Sequence, residues 1–161
     1  MMRIVTIGVY GFDEESFFQS LVAAGVGIFC DIRQRRGVRG ASYAFANSQR
    51  LQRRLAELDI RYLYRQDLAP TKAVRARQDE ADKAQKVAKR QRTVLGEAFI
   101  LAYRSEILAN FDPQTLLDEA GPGAQVMALF CVEREPAACH RSLVADKLRW
   151  DLGLEVEHIR P

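Results

Sequence analysis

The chain has 161 residues, of which 48% are hydrophobic and 28% charged, with a formal net charge of +3. That length suits one domain with a sizeable core, and the composition is ordinary for a globular protein in water. No apolar run approaches the roughly 18 residues needed to span a bilayer, and three cysteines are too few and too odd for a secreted disulfide scaffold.

The opening MMRIVTIGVYGF has neither a long apolar stretch nor a small-residue cleavage site, so no signal peptide is expected and the cytoplasm is the expected location. Residues 3–7 read as a short β-branched strand closed by Gly8. Asp13 is placed to cap a helix in which Phe17, Phe18, Leu21 and Val22 recur at helical spacing, and Gly25 ends it. Residues 26–32 are nearly all apolar, as in a strand buried on both faces. After a loop rich in Arg and Gly, Asn47 or Ser48 starts a helix carrying Leu51, Leu55 and Leu58, and residues 60–64 form a third strand.

Residues 71–92 are polar, free of Gly and Pro, and rich in Ala, Lys, Arg and Gln, which predicts an exposed helix. Between residues 65 and 104 there are ten Lys/Arg against five Asp/Glu, so the positive excess is local. Residues 93–108 are amphipathic, with Leu95, Phe99, Ala102 and Tyr103 available for burial. Asp112-Pro113 starts a helix, Gly121-Pro122-Gly123 turns the chain, and residues 126–132 are the strongest strand in the sequence. Pro136 is read as opening the next helix, which buries Leu143, Val144 and Leu148 and stops near Gly153; residues 154–159 give a last strand. Strands alternating with helices predict one α/β domain over residues 1–161. It is expected to hold a mostly parallel sheet with helices on both faces, a Rossmann-like three-layer sandwich, and a basic helical segment around 71–110.

Ligands of such sheets sit beyond the carboxyl ends of the strands. That rule selects Gly8, Val9 and Tyr10 after the first strand, Asp31 and Arg33 after the second, and Cys131 and Glu133 after the fourth. Cys139, His140 and Arg141 follow in the first turn of the next helix. Asp31 and Arg33 are two apart and point the same way on a regular strand, either as an ion pair orienting a catalytic carboxylate or as a structural clamp. Glu133, leaving an apolar strand, suits acid–base work or the capping of the following helix. Cys139 is a candidate nucleophile or redox thiol if the helix start and the adjacent cations stabilise its thiolate, and an inert buried residue otherwise. Arg141 and the helix start offer an anion site, with His140 to shuttle a proton or touch the anion. Cys30 and Cys131 read as core, and His158 as a satisfied structural histidine.

A metal bound by Cys131, Glu133, Cys139 and His140 is not expected. The C-x7-C-H spacing is no standard zinc signature, and sequence-adjacent ligands rarely reach one ion together. Pro136, Glu133 and Glu135 suit a phosphatase-type or rhodanese-type anion loop poorly. No Walker loop or G-x-G-x-x-G run is present, so no cofactor is named. In the loop after Asp31, Arg33, Arg35, Arg36 and Arg39 stand near Tyr43 and Phe45, a combination able to hold a phosphate and stack a base, or simply an exposed basic loop.

The segment 131–141, CVEREPAACHR, resembles the C-x-E-x-x-P-x-x-C-H-R signature of the family called domain of unknown function four-eight-eight. The resemblance extends to Thr6-Ile7-Gly8, Asp31-Ile32-Arg33 and the closing Val156-Glu157-His158-Ile159. Many members of that family carry His and Ser after the first Gly, where this chain has Val9 and Tyr10, so a role for that His does not carry over. Residues 68–72, with the Lys/Arg-rich stretch behind them, also depart from the family's Gly-Gly loop, which implies a subgroup with its own cover over the strand ends. The resemblance implies an α/β fold and a site, and no reaction.

The leading expectation is a small enzyme, hydrolase or transferase, acting on a phosphate-bearing small molecule or nucleic acid. Glu133, Cys139 and Asp31 would be its catalytic residues, and Arg33, Arg141, His140, Tyr10 and Arg36 would contact the substrate. The alternatives are a non-catalytic module that binds nucleic acid or another anion, and a thiol redox protein using Cys131 and Cys139.

Overall fold

The computed structural model describes residues 1–88 and 91–161, arranged around five strands: β1 (Arg3–Ile7), β2 (Ile28–Asp31), β3 (Arg61–Tyr64), β4 (Val126–Phe130) and β5 (Val156–Ile159). The sheet order is β3-β2-β4-β1-β5, and every neighbouring pair is parallel. Central strands β2 and β4 are almost wholly buried, as their unbroken apolar runs require.

Among the described residues six α-helices connect the strands: α1 (Glu14–Ala23), α2 (Ser48–Glu57), α3 (Lys72–Ala84), α4 (Glu97–Glu106), α5 (Pro113–Ala120) and α6 (His140–Leu152). Right-handed crossovers place α1 and α2, which lead the chain one way along the sheet, on one face. The connections through α3 to α5 and through α6 run the other way and cover the opposite face. The packing agrees: Phe17 of α1 meets Phe29 and Phe130, whereas α6 packs on β1, β4 and β5. The chain is therefore an α/β, Rossmann-like sandwich.

Local sequence explains most helix ends. Asp13 and Ser16 form a reciprocal capping box on α1, Asp112 caps α5 ahead of Pro113, and Gly153 ends α6 in a left-handed turn at φ 68°. Three expectations need correction. Val22, grouped with the buried face of α1, is 55% exposed, because the sheet covers only the stripe of Phe17, Phe18 and Leu21. Asn47 occupies the N-cap position of α2 but makes no side-chain cap bond; its Oδ1 accepts from Val38 N at 2.7 Å and braces the Arg-rich loop.

The long polar helix expected over residues 71–92 is also shorter than that. Thr71 caps α3, which ends at Ala84, and Lys86 then takes a left-handed φ of 55°. Residues 89 and 90 of that expected helix lie outside the described residues. Past them the chain returns toward the sheet, bringing Arg92 to the end of β4.

Candidate functional site

Strands β4 and β1 are neighbours, but their outgoing helices lie on opposite faces, which opens a crevice beyond their carboxyl ends. The walls are tied together by main chain. The N–H groups of Val9 and Tyr10 both donate to the carbonyl of Val132 at 3.1 Å. Gly8 permits this approach, since a Cβ there would overlap the carbonyl oxygen of Glu133.

Arg141, expected to hold an anion, instead builds the site loop. It is fully buried, and its guanidinium donates to the carbonyls of Glu133 (2.6 Å) and Arg134 (3.2 Å) and to Thr6 Oγ1 (3.3 Å). Thr6 Oγ1 also lies 2.7 Å from His158 Nδ1, within hydrogen-bond reach of the ring, so one hydroxyl links Arg141 to His158. Burial, followed by the charge of Arg141, lowers the His158 pKa, which suits that neutral, structural role.

At the end of β2, Asp31 and Arg33 form a buried fork. Arg33 Nε and Nη2 donate to the two carboxylate oxygens at 2.9 and 2.8 Å, its own N–H donates to Oδ1, and Tyr62 Oη donates to Oδ2 at 2.7 Å. Nη1 reaches the carbonyl of Ala46, and the guanidinium stacks on Phe130 at 4.7 Å. The donors of Arg33 are consumed internally, so the clamp reading fits it better than the anion-binding one. Arg36 stacks on Tyr64 at 4.3 Å and does not line the crevice.

The end of β4 is arranged differently. Residues Pro136–Ala138 form a 3-10 turn, Cys139 is extended at φ −135° and ψ 146°, and α6 starts at His140. Pro136 therefore opens a 3-10 turn, and Cys139 is the N-cap residue of α6, one place outside the first turn. This break in backbone direction brings adjacent side chains together. Cys131 Sγ and Cys139 Sγ lie 3.7 and 3.8 Å from His140 Nδ1, and the three atoms are all within 4.8 Å of one another. His140 Nε2 is 2.8 Å from the carbonyl of Ile32, an oxygen that only accepts, which puts a proton on Nε2 and turns Nδ1 to the sulfurs. Glu133 does not cap α6. Its Oε2 lies 3.6 Å from Cys131 Sγ, and its Oε1 accepts from Arg92 Nη2 at 3.0 Å.

The cluster polarises its own members. Burial alone would raise the pKa of Cys139, but the Cys131 thiol and the charges of His140 and Arg141 outweigh it and hold Cys139 well below the ordinary thiol value. Burial and the same contact push Cys131 well above it. Burial favours a neutral His140, yet the charge of Cys139 raises its value on balance. Cys131 is buried in the core as expected, and its Sγ also joins the polar group.

With this geometry in place, comparison with known proteins gives one result. The model of the family described as domain of unknown function DUF488 matches residues 13–148. The chain belongs to that family. No curated protein and no solved structure matches it.

In this DUF488 chain the cluster floors a cavity of about 420 Å³, a size ordinary for a small-molecule site. Five arginines line it, Arg33, Arg35, Arg39, Arg75 and Arg92, against the two carboxylates of Asp79 and Glu133. Arg35 and Arg75 make no side-chain hydrogen bond or ion pair among the described residues. Tyr10 also lines the cavity, edge-on to Tyr43 with ring centroids 5.2 Å apart. Leu95 and Phe99 of the segment after Arg92 supply an apolar wall.

Sequence reading missed Arg75 and Arg92. Arg92 is held by Asp82 at 2.7 Å, by the carbonyl of Ala138 and by Glu133, partners 10, 46 and 41 residues away. Nothing local to residues 71–92 signals that contact. Only the family's order of segments, with residues 68–72 read as a cover over the strand ends, pointed in that direction.

Proposed function

We propose that this DUF488 protein is a small enzyme that transforms a phosphate-bearing ligand of nucleotide size, with Glu133 as its proton-transfer group. The observation that carries this reading is the pairing of one carboxylate, beside a Cys/His cluster, with an arginine-lined cavity. Arg35 and Arg75 provide the anion contacts, because their guanidinium groups have no side-chain partner among the described residues, and a guanidinium matches phosphate oxygens with two parallel N–H donors. Tyr10 and the apolar wall of Leu95 and Phe99 favour a flat or apolar group on the same ligand. Glu133 sits where such a ligand meets the cluster, held by Arg92. Asp31, expected to be catalytic, supports the site from a distance by fixing Arg33 and, through Ile32, the wall that holds His140.

The test is a panel of nucleoside mono-, di- and triphosphates, read for binding by calorimetry and for turnover by chromatography. The reading predicts that one class binds, that Arg35→Ala with Arg75→Ala weakens binding by at least about tenfold, and that Glu133→Gln binds but does not turn over. An individual phosphate hydrogen bond from a charged donor contributes about 1.5–3 kcal/mol, which sets that scale. Absence of binding across the panel at millimolar concentration would sink the proposal, as would full turnover by Glu133→Gln.

A further inference from the structure

We infer that Cys131, Cys139 and His140 form a binding site for one thiophilic divalent cation of the zinc type, with its fourth position open to the cavity. The existence of this site is independent of the proposed function; its catalytic use rests on that reading.

Distances carry the inference. With Zn–S of about 2.3 Å and Zn–N of about 2.0–2.1 Å, a tetrahedral ion spaces a sulfur and a nitrogen ligand about 3.6 Å apart. The same geometry spaces two sulfurs about 3.8 Å apart. His140 Nδ1 lies 3.7 Å from Cys131 Sγ and 3.8 Å from Cys139 Sγ, and no pair among the three atoms exceeds 4.8 Å. The three donors thus stand nearly at ligand spacing before any ion is considered.

A second observation concerns orientation. Metal-bound histidines almost always donate their other ring N–H to a carbonyl or carboxylate, which fixes the tautomer. His140 does this: Nε2 lies 2.8 Å from the Ile32 carbonyl, and Nδ1 is the nitrogen that faces the sulfurs. The Ile32 carbonyl is held in turn by the end of β2, whose Asp31–Arg33 fork anchors that turn. The expectation that neighbours in sequence do not share an ion fails here for a structural reason. Cys139 is extended and His140 helical, so their side chains converge.

Two thiolates and one imidazole leave a position for water, the arrangement of catalytic rather than structural zinc sites. Glu133 is not among the mutually close ligand atoms, yet its Oε2 is 3.6 Å from Cys131 Sγ, where a second-sphere base belongs. A cation in the site lowers the pKa of its bound water. The water passes one proton to Glu133, and the resulting hydroxide forms the new bond to an electrophilic carbon or phosphorus of the ligand. Glu133 then returns that proton to the departing group. Water is the only co-reactant, so the substrate class is a phosphate-bearing compound open to hydrolysis.

The full-length chain, purified under reducing conditions, is to be titrated with Zn²⁺ and, separately, with Co²⁺. The inference predicts one ion per chain and, for Co²⁺, thiolate charge-transfer absorption with the intense visible bands of a tetrahedral ion. Loss of a second-sphere partner costs about 10–100-fold in affinity, so Cys131→Ser and Cys139→Ala, which remove ligands, are each expected to cost more. Cys30→Ala, at a buried position that is not part of the ligand group, is expected to keep the cobalt spectrum. The spectrum of the unsubstituted chain decides the matter even where a variant misfolds. Octahedral cobalt bands, no bound ion, or a Cys131–Cys139 disulfide that persists in reductant and blocks binding would each overturn the site. If zinc binds but Glu133→Gln turns over normally, the metal site stands and the proposed function falls. If turnover needs Glu133 but no ion binds, the opposite holds.

Discussion

The ends of β2 and β4 lie side by side, and both present a carboxylate, but they use it in opposite ways. Asp31 is saturated by Arg33, by its own turn and by Tyr62, all within a few residues or one strand away. Glu133 is held from 41 residues away by Arg92 and faces two sulfurs, an imidazole and a cavity. The two nearby cysteines repeat the contrast. Cys30, within β2, is pushed far up in pKa by burial, whereas the equally buried Cys139 is drawn down by its neighbours. Asp31 thus closes one strand end, whereas Glu133 stands beside a cavity and the thiol–imidazole cluster, the placement on which the proposed proton-transfer role rests.

The largest effect expected from breaking this comparison is at β2. Asp31→Ala leaves the Arg33 guanidinium buried without its counter-ion, which typically costs about 3–5 kcal/mol, read as a lower urea midpoint. Next comes Gly8→Ala, whose Cβ must displace the Glu133 carbonyl and with it the loop that joins β4 to the cluster. Overpacking of this kind typically costs about 1–3 kcal/mol, and ligand binding is expected to fall with stability. Arg92→Ala sharpens the contrast from the other side. Removing Arg92 takes a counter-ion from both Asp82 and Glu133 and a donor from the Ala138 carbonyl, so it is expected to cost about 1–3 kcal/mol in unfolding experiments while reducing turnover much more.

The smallest effect is at His158. Its folded pKa lies below the ordinary 6.5, through burial first and the charges of Arg141, Arg149 and Arg160 against that of Asp146. The folded state therefore binds fewer protons than the unfolded state below about pH 6.5, and the stability tied to neutral His158 is lost as pH falls through the folded pKa. Melting curves from pH 7 to 5 are expected to fall less steeply for His158→Asn, whose amide can still hydrogen-bond Thr6.

The β4 side of the comparison was the more legible in sequence. Residues 126–132 announce a buried strand by their apolar run, and the family-like CVEREPAACHR segment draws attention to Glu133, Cys139 and His140. The same segment misled at Pro136, because a 3-10 turn and an α-helix begin with the same residue types, and only the extended Cys139 separates them. Arg141 and Arg33 read as anion binders because a sequence shows charge but not which carbonyls and carboxylates absorb it. Arg92 and Arg75 were invisible for the converse reason. Their stretch is compositionally an exposed helix, and its return to the sheet after α3 depends on contacts with β4 and the Ala138 turn.

The most direct test of the central contrast is to measure unfolding and turnover on the same Glu133→Gln protein. A stability loss of no more than about 1.5 kcal/mol is expected, because Gln keeps an oxygen to accept from Arg92 and Arg92 keeps Asp82, together with loss of turnover on the nucleotide class that binds. A protein that unfolds several kcal/mol more easily while retaining turnover would show Glu133 to be a structural carboxylate like Asp31, and would contradict the account.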